Sequence, residues 1–286
     1  MAEPISVAVR RGGTVEARHR VHAVLVRRAE IVESAGDPQL VTFMRSSAKP
    51  IQALPLARAV PDLTDAELAI ASASHLADEE QLAAVRALLE RAGAGEDDLE
   101  CGPAGKPPAR SKHNCSGKHA GMLALCRVRG WETRGYRLAD HPCQRMMLAE
   151  VAAAADVPQA EIPTAVDGCG VLTFALGLER MAHAFTRLEG TRVADAMRAR
   201  PELIRGPAAT DTRLMRERAG WIAKGGAEGL FCAASPAGFG VALKVEDGNG
   251  RALGPAVAAL LDVPELAREP VLNSRGDEVG EIFAER

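Results

Sequence analysis

Apolar and polar residues change their spacing twice along this chain. At the start, Ile5 to Arg10 alternates in part, Arg11-Gly12-Gly13 marks a turn, and His22-Ala-Val-Leu-Val26 and Ile31-Val32 read as strands. The end returns to that texture. Phe239 to Glu246 predicts a strand, Asp247-Gly-Asn-Gly250 a tight turn and Gly254 to Leu261 a short buried helix. Pro270 to Phe283 predicts a last hairpin or strand around Ser274-Arg-Gly-Asp277. Between these ends the period is helical: Gln81 to Ala92 sets Leu82, Val85, Leu88 and Leu89 on one face, and Met146 to Ala155 is a run of helix formers. Gly102 to Ser111, rich in Gly and Pro, predicts a loop. The expectation is one α/β unit over residues 1–286, with no repeat and no linker. An antiparallel sheet from both chain ends (about 1–35 and 237–286) would carry a helical insertion (about 40–236).

Composition narrows the function. With 286 residues, 47% of them hydrophobic, the chain can fill a sizeable core. A net charge of -3 and 3% aromatics argue against a basic or base-stacking surface, so nucleic acid is not an expected partner. Met1-Ala2-Glu3-Pro4 does not begin a basic then apolar leader, and no apolar run approaches the roughly 18 residues of a membrane span. No membrane partner is expected, and the expected location is cytoplasmic. The six cysteines contain no C-x-x-C pair, which in a reducing compartment favours buried, metal-bound or reactive thiols over disulfides.

Five places carry candidate chemistry. In Arg45-Ser46-Ser47-Ala48-Lys49-Pro50, Ser46 and Lys49 share a helix face, and Pro50 is tolerated in a first turn whose N–H groups lack partners. The Ser46 hydroxyl would then lie at the positive end of the helix dipole, with Lys49, if neutral through burial, as its base. The bland alternative is a helix cap, and Pro55 is expected to kink or end that helix soon afterwards. In His113-Asn114-Cys115-Ser116-Gly117-Lys118-His119, just before the apolar stretch Ala120 to Cys126, Cys115 is open to three readings. It can bind a metal, act as a nucleophile with a histidine base, or fill the core. Asp167-Gly168-Cys169-Gly170 is a turn carrying a carboxylate and a thiol. Lys244 stands between Leu243 and Val245, where the default is the solvent face of a strand. Ser74-His75 ends an apolar stretch, with a helix cap at Ser74 as its plain reading.

Together these segments resemble the bacterial L-asparaginase II proteins of the rhizobial type, which are unrelated to the threonine-based asparaginases. The matching stretches are Arg11-Gly-Gly-x-Val-Glu-x-x-His19-Arg-Val-His22, Arg45 to Pro50, Ala73-Ser-His75, Asn114-Cys-Ser-Gly-Lys-His119-x-Gly-Met122, Asp140-His-Pro-x-Gln144, Asp167-Gly-Cys169 and Lys244-Val-Glu-Asp-Gly248. They occur in the family's order over nearly the whole chain. The resemblance implies a fold similar to serine β-lactamases and penicillin-binding proteins. It implies Ser46 as nucleophile with Lys49 as base, and Ser74 with Lys244 as a second Ser-Lys pair on the same pocket. Cys115, Lys118 and Cys169 would hold one zinc ion per chain, with water completing the shell. Arg45, His75, His119 and Asp167 are the candidates for holding substrate, and Asp167 can also orient a zinc ligand.

The activity so implied is hydrolysis of L-asparagine to aspartate and ammonia, by a homodimer. The alternatives are a related acyl-serine hydrolase acting on glutamine, another amide or a β-lactam, and a zinc-binding homologue without catalysis. Two departures bear on substrate range. Leu76-Ala77-Asp78-Glu79 follows His75 where the family usually has a small polar residue or Gly and then Glu. The chain is also shorter than the rhizobial type before His113 and between residues 180 and 210.

Overall fold

The computed structural model describes residues 2–285. Four strands open the chain: β1 (Ile5–Arg11), β2 (Thr14–Arg27), β3 (Glu30–Ala35) and β4 (Val41–Phe43). Helices α1 (Lys49–Ala59), α2 (Asp65–Ala71), α3 (Glu79–Ala92), α4 (Ser116–Arg129) and α5 (Pro142–Ala155) follow. Then come β5 (Thr164–Val166), β6 (Leu172–Gly177), α6 (Leu178–Thr186), α7 (Arg192–Ala199), α8 (Pro201–Ile204) and α9 (Thr210–Glu217). The last third holds β7 (Ile222–Gly225), β8 (Leu230–Ala234), β9 (Phe239–Val245), α10 (Leu253–Leu261), β10 (Arg268–Leu272) and β11 (Glu278–Ala284).

The main sheet runs β10-β11-β1-β2-β9-β8-β7, all antiparallel, with β3 also on β2. Both chain ends supply it, and helices fill the middle of the chain, as the hydrophobic pattern predicts. β2 is the hinge of this arrangement. Its first half pairs with β1, and its second half lies between β3 and β9. Two of the sequence motifs meet across it: His19 Nδ1 lies 2.6 Å from Asp247 Oδ2 and His22 Nε2 2.9 Å from Glu246 Oε1.

Three expectations are corrected. The sheet does not stop at residue 237, because β7 and β8 belong to it. Both strands are buried at every position, so they show no alternation of polar and apolar residues to mark them as strands. A small second sheet, β4-β6-β5, also lies inside the stretch expected to be helical. Finally, Pro55 does not end its helix, and α1 continues to Ala59. Lys49 to Leu56 are all buried, so packing around the helix offsets the hydrogen bond that the proline forgoes.

Candidate active site

The segment Arg45–Ala48 is a single 3-10 turn rather than the start of the α-helix, which begins at Lys49 with Pro50 in its first turn. Arg45 enters it at φ 48°, the left-handed region that costs a side-chain-bearing residue conformational energy. Two contacts hold it there. Its N–H donates to Thr173 Oγ1 at 3.1 Å, and its Nε donates to Asp167 Oδ1 at 2.6 Å. The turn therefore hangs between α1 and the β5–β6 hairpin. Ser46 is half-buried, and Ser47 is fully buried with its hydroxyl donating to Lys224 O at 2.9 Å.

Lys49 is fully buried. Its ammonium reaches Ala73 O, Ser74 Oγ at 3.0 Å and Asn114 O at 3.3 Å, rather than Ser46. Burial lowers its pKa, and the nearby Lys118 adds to that, against the pull of Cys115. Ser74 does not cap a helix. Asp78 caps α3 through a capping box with Gln81, which frees the Ser74 hydroxyl for Lys49. The Ser74 N–H donates to Ile204 O at 2.8 Å, tying this stretch to the C-terminal end of α8.

Cys115 is the N-cap residue of α4, and Lys118 lies in its first turn. Gly117 between them is required by packing, since a Cβ there would collide with Ile70 O at the end of α2. That close approach sets the α4 start against the Ala73–Ser74 stretch. Lys118 Nζ lies 3.0 Å from Cys169 Sγ, which the tight Asp167–Gly170 turn projects inward. Cys115 is held toward the thiolate, first by the Cys169 thiol that donates to it and then by Lys49 and Lys118, against the opposing effect of burial. Cys169 is correspondingly pushed up by the same pairing. For Lys118, burial opposes the charge, but the sulfurs of Cys169 and Cys115 outweigh it and raise the pKa.

Two sulfurs and an amine thus converge, all at most 5% exposed. Among the described residues no group of three His, Cys, Asp or Glu side chains stands together, so a metal site here depends on Lys118 as the third donor. Two thiolates and a nitrogen suit zinc, so the set fits that ion on condition that the metal displaces the proton that the two sulfurs otherwise hold on Lys118.

The structure does not bring Lys244 to this cluster. On β9 it is half-buried, pairs in register with Leu230 and His22, and its Nζ donates to Val245 O at 2.5 Å. The charged groups near it are Glu228, Asp247 and Glu246. The lysine that does arrive is Lys224 on β7, which sequence reasoning missed. It is fully buried, its Nζ donates to Gly225 O at 2.6 Å and lies 3.7 Å from Asp211 Oδ2, and its backbone receives Ser47. Burial brings its pKa down to about 7, with Lys49 and Arg205 adding to the fall and Asp211 and Cys115 resisting it. The available signal was Ile222-Ala-Lys-Gly-Gly226, a lysine inside an apolar run followed by two glycines that permit close approach.

The two histidines expected to hold substrate face inward. His75 Nδ1 accepts the Ala77 N–H at 3.1 Å, which leaves the proton on Nε2 to donate to Ser116 Oγ at 2.8 Å. Burial lowers its pKa to about 4, so it stays neutral. His119 Nδ1 meets the Tyr136 hydroxyl at 2.7 Å, while its buried Nε2 has no partner among the described residues. Both rings brace the α4 start rather than face an open space. Gln144, in the Asp140 to Gln144 motif, likewise ties Tyr136 O (2.9 Å) to Leu172 N (3.2 Å).

A search of curated proteins finds no match. Among solved structures, a β-lactamase from Mycobacterium bovis is similar at 11% identity with a TM-score of 0.40, over 86% of this chain and 92% of that one. The family model for L-asparaginase II matches residues 7–284, nearly the full length. The chain belongs to the L-asparaginase II family and is an amide-hydrolysing enzyme.

Proposed function

We propose that this amidohydrolase cleaves the side-chain amide of L-asparagine through a Ser46–Lys49 pair. The observation that carries the reading is Lys49: a fully buried amine with a depressed pKa, three positions after a half-buried serine on a strained turn. Lys49, whose Nζ rests on Ser74, moves to Ser46 in the substrate complex and takes its proton, and Ser46 Oγ bonds to the amide carbon. The C–N bond then breaks, and the nitrogen leaves as ammonia with the proton returned from Lys49. Water attacks the acyl carbon, the ester C–O bond breaks, aspartate is released and Ser46 recovers its proton. Ser74, hydrogen-bonded to Lys49, keeps the amine oriented. Lys224, rather than Lys244, supplies the second lysine, close enough to Lys49 for each charge to disfavour the other.

Cys115, Lys118 and Cys169 would hold one zinc ion, which when bound supplies a Lewis-acidic charge beside the pocket. Arg45, pinned to Asp167, fixes the turn that carries Ser46. A cytoplasmic homodimer completes the proposal. No helix is long and apolar enough to cross a membrane.

Ammonia release from L-asparagine, with L-glutamine and a β-lactam in parallel, tests the substrate. Ser46→Ala is expected to lower asparagine turnover by at least about 10³-fold. Turnover by Ser46→Ala at the wild-type rate sinks the nucleophile, and turnover of glutamine alone reassigns the substrate. Metal analysis of protein purified without chelator is expected to give about one zinc per chain and almost none for Cys115→Ser.

A further inference from the structure

The stretch between α2 and α3 carries Ser74, whose hydroxyl holds Lys49 Nζ at 3.0 Å. Residues 73–78 belong to no helix or strand, so bonds to other segments must fix their place. Ser74 donates its N–H to Ile204 O at 2.8 Å, and His75 Nε2 donates to Ser116 Oγ at 2.8 Å. Beyond them the stretch has little grip of its own. Leu76 is 68% exposed, and Ala77 turns through the left-handed region at φ 63°.

The remaining anchor is Gln81, fully buried in the first turn of α3. Its Oε1 accepts the Leu76 N–H at 2.8 Å and the Asp78 N–H at 3.3 Å. Its Nε2 donates to Glu202 O at 3.3 Å and to Arg205 O at 3.5 Å, the carbonyls that bracket Ile204. One side-chain amide thus spends both lone pairs on the Ser74 side and both N–H groups on α8.

The choice of glutamine is informative. A capping box needs only an acceptor at this position, which glutamate supplies as well as glutamine does. Toward α8 the demand is for donors. That helix is four residues long, so the carbonyls at its end need partners from outside it. A carboxylate in the same place would set negative charge against two carbonyl oxygens.

We propose that Gln81 is a positioning residue for the reaction: by clamping the end of α8 to the Ser74–Leu76 stretch, it sets where the Ser74 hydroxyl meets Lys49. The inference rests on the Ser46–Lys49 reading above and adds a residue to it. Lys49 rests on Ser74 between proton transfers, so a shifted hydroxyl leaves the amine misplaced for Ser46. Displacements of about 1 Å at a reacting group can cost about 10²-fold in rate.

The test is asparagine kinetics on Gln81→Glu and Gln81→Met, each made with and without Ser74→Ala. With Ser74 present, both should lower kcat about 10- to 100-fold while KM stays within about twofold. In Ser74→Ala protein the same changes should cost less than about twofold, because the hydroxyl they position is gone. Equal losses in both backgrounds, or an unchanged kcat, overturn the proposal. A crystal structure of Gln81→Glu reads the geometry without turnover. Ser74 Oγ should stand out of hydrogen-bond reach of Lys49 Nζ, and an unmoved Ser74 overturns the proposal. Ser46→Ala alone reports on the nucleophile, so a failed nucleophile assignment is read separately from a failed positioning role.

Discussion

Lys224 and Lys244 stand on strands that flank β8, each inside an apolar run, and they have become different chemical objects. Lys224 is sealed between the strand edge, Asp211 and the Ser47 turn, and burial brings its pKa down to about 7. Lys244 is only half-buried at the end of β9, among Glu228, Asp247 and Glu246. The lesson is that a lysine within an apolar run is not evidence of function by itself. What matters is whether its strand runs into the site or ends at solvent. In the same motif, Glu246 and Asp247 pair with His22 and His19 of β2.

The largest expected effect separates the two lysines directly. Lys224→Met should lower kcat/KM by about 10²- to 10⁴-fold, the usual loss for a proton-handling or charge-stabilising group, while Lys244→Met stays within about twofold. Equal losses would erase the distinction and return Lys244 to the site.

A smaller effect concerns what holds the two halves of the site together. Gly117→Ala should destabilise the fold by about 2–3 kcal/mol in urea titration, because the new Cβ meets Ile70 O and must push α4 away from α2. An unchanged midpoint would mean that the close approach does not set the position of Cys115 and Lys118.

The gentlest probe is pH. If neutral Lys224 is the active form, kcat/KM rises with pH through an acid limb near 7, about tenfold per pH unit below it, and Lys244→Met keeps that limb. The folded pKa lies below the free lysine value of 10.5, so the unfolded chain holds more protons between about 7 and 10.5. This group's contribution therefore makes stability rise with pH across that window. A limb that Lys224→Arg leaves in place belongs to another group.

The alternating and helical patterns, the turns and the order of the motifs were enough to predict a sheet built from both chain ends with helices between them. They also singled out Lys49, Ser74, Cys115, Lys118 and Cys169, which the structure gathers in one place, and Ser46, which stands on the turn just before Lys49. Those features are local: residue spacing, propensity and a few short strings record them. The membership of β7 and β8 in the sheet, the arrival of Lys224 and the inward turn of His75 and His119 were decided only in three dimensions. Strands buried on both faces lose the period that marks them. A side chain's burial and charge partners come from segments far away in the chain, as Asp211, Ser47 and Lys49 do for Lys224. Sequence order lists the candidate groups, but desolvation and contact decide which of them the chemistry can use.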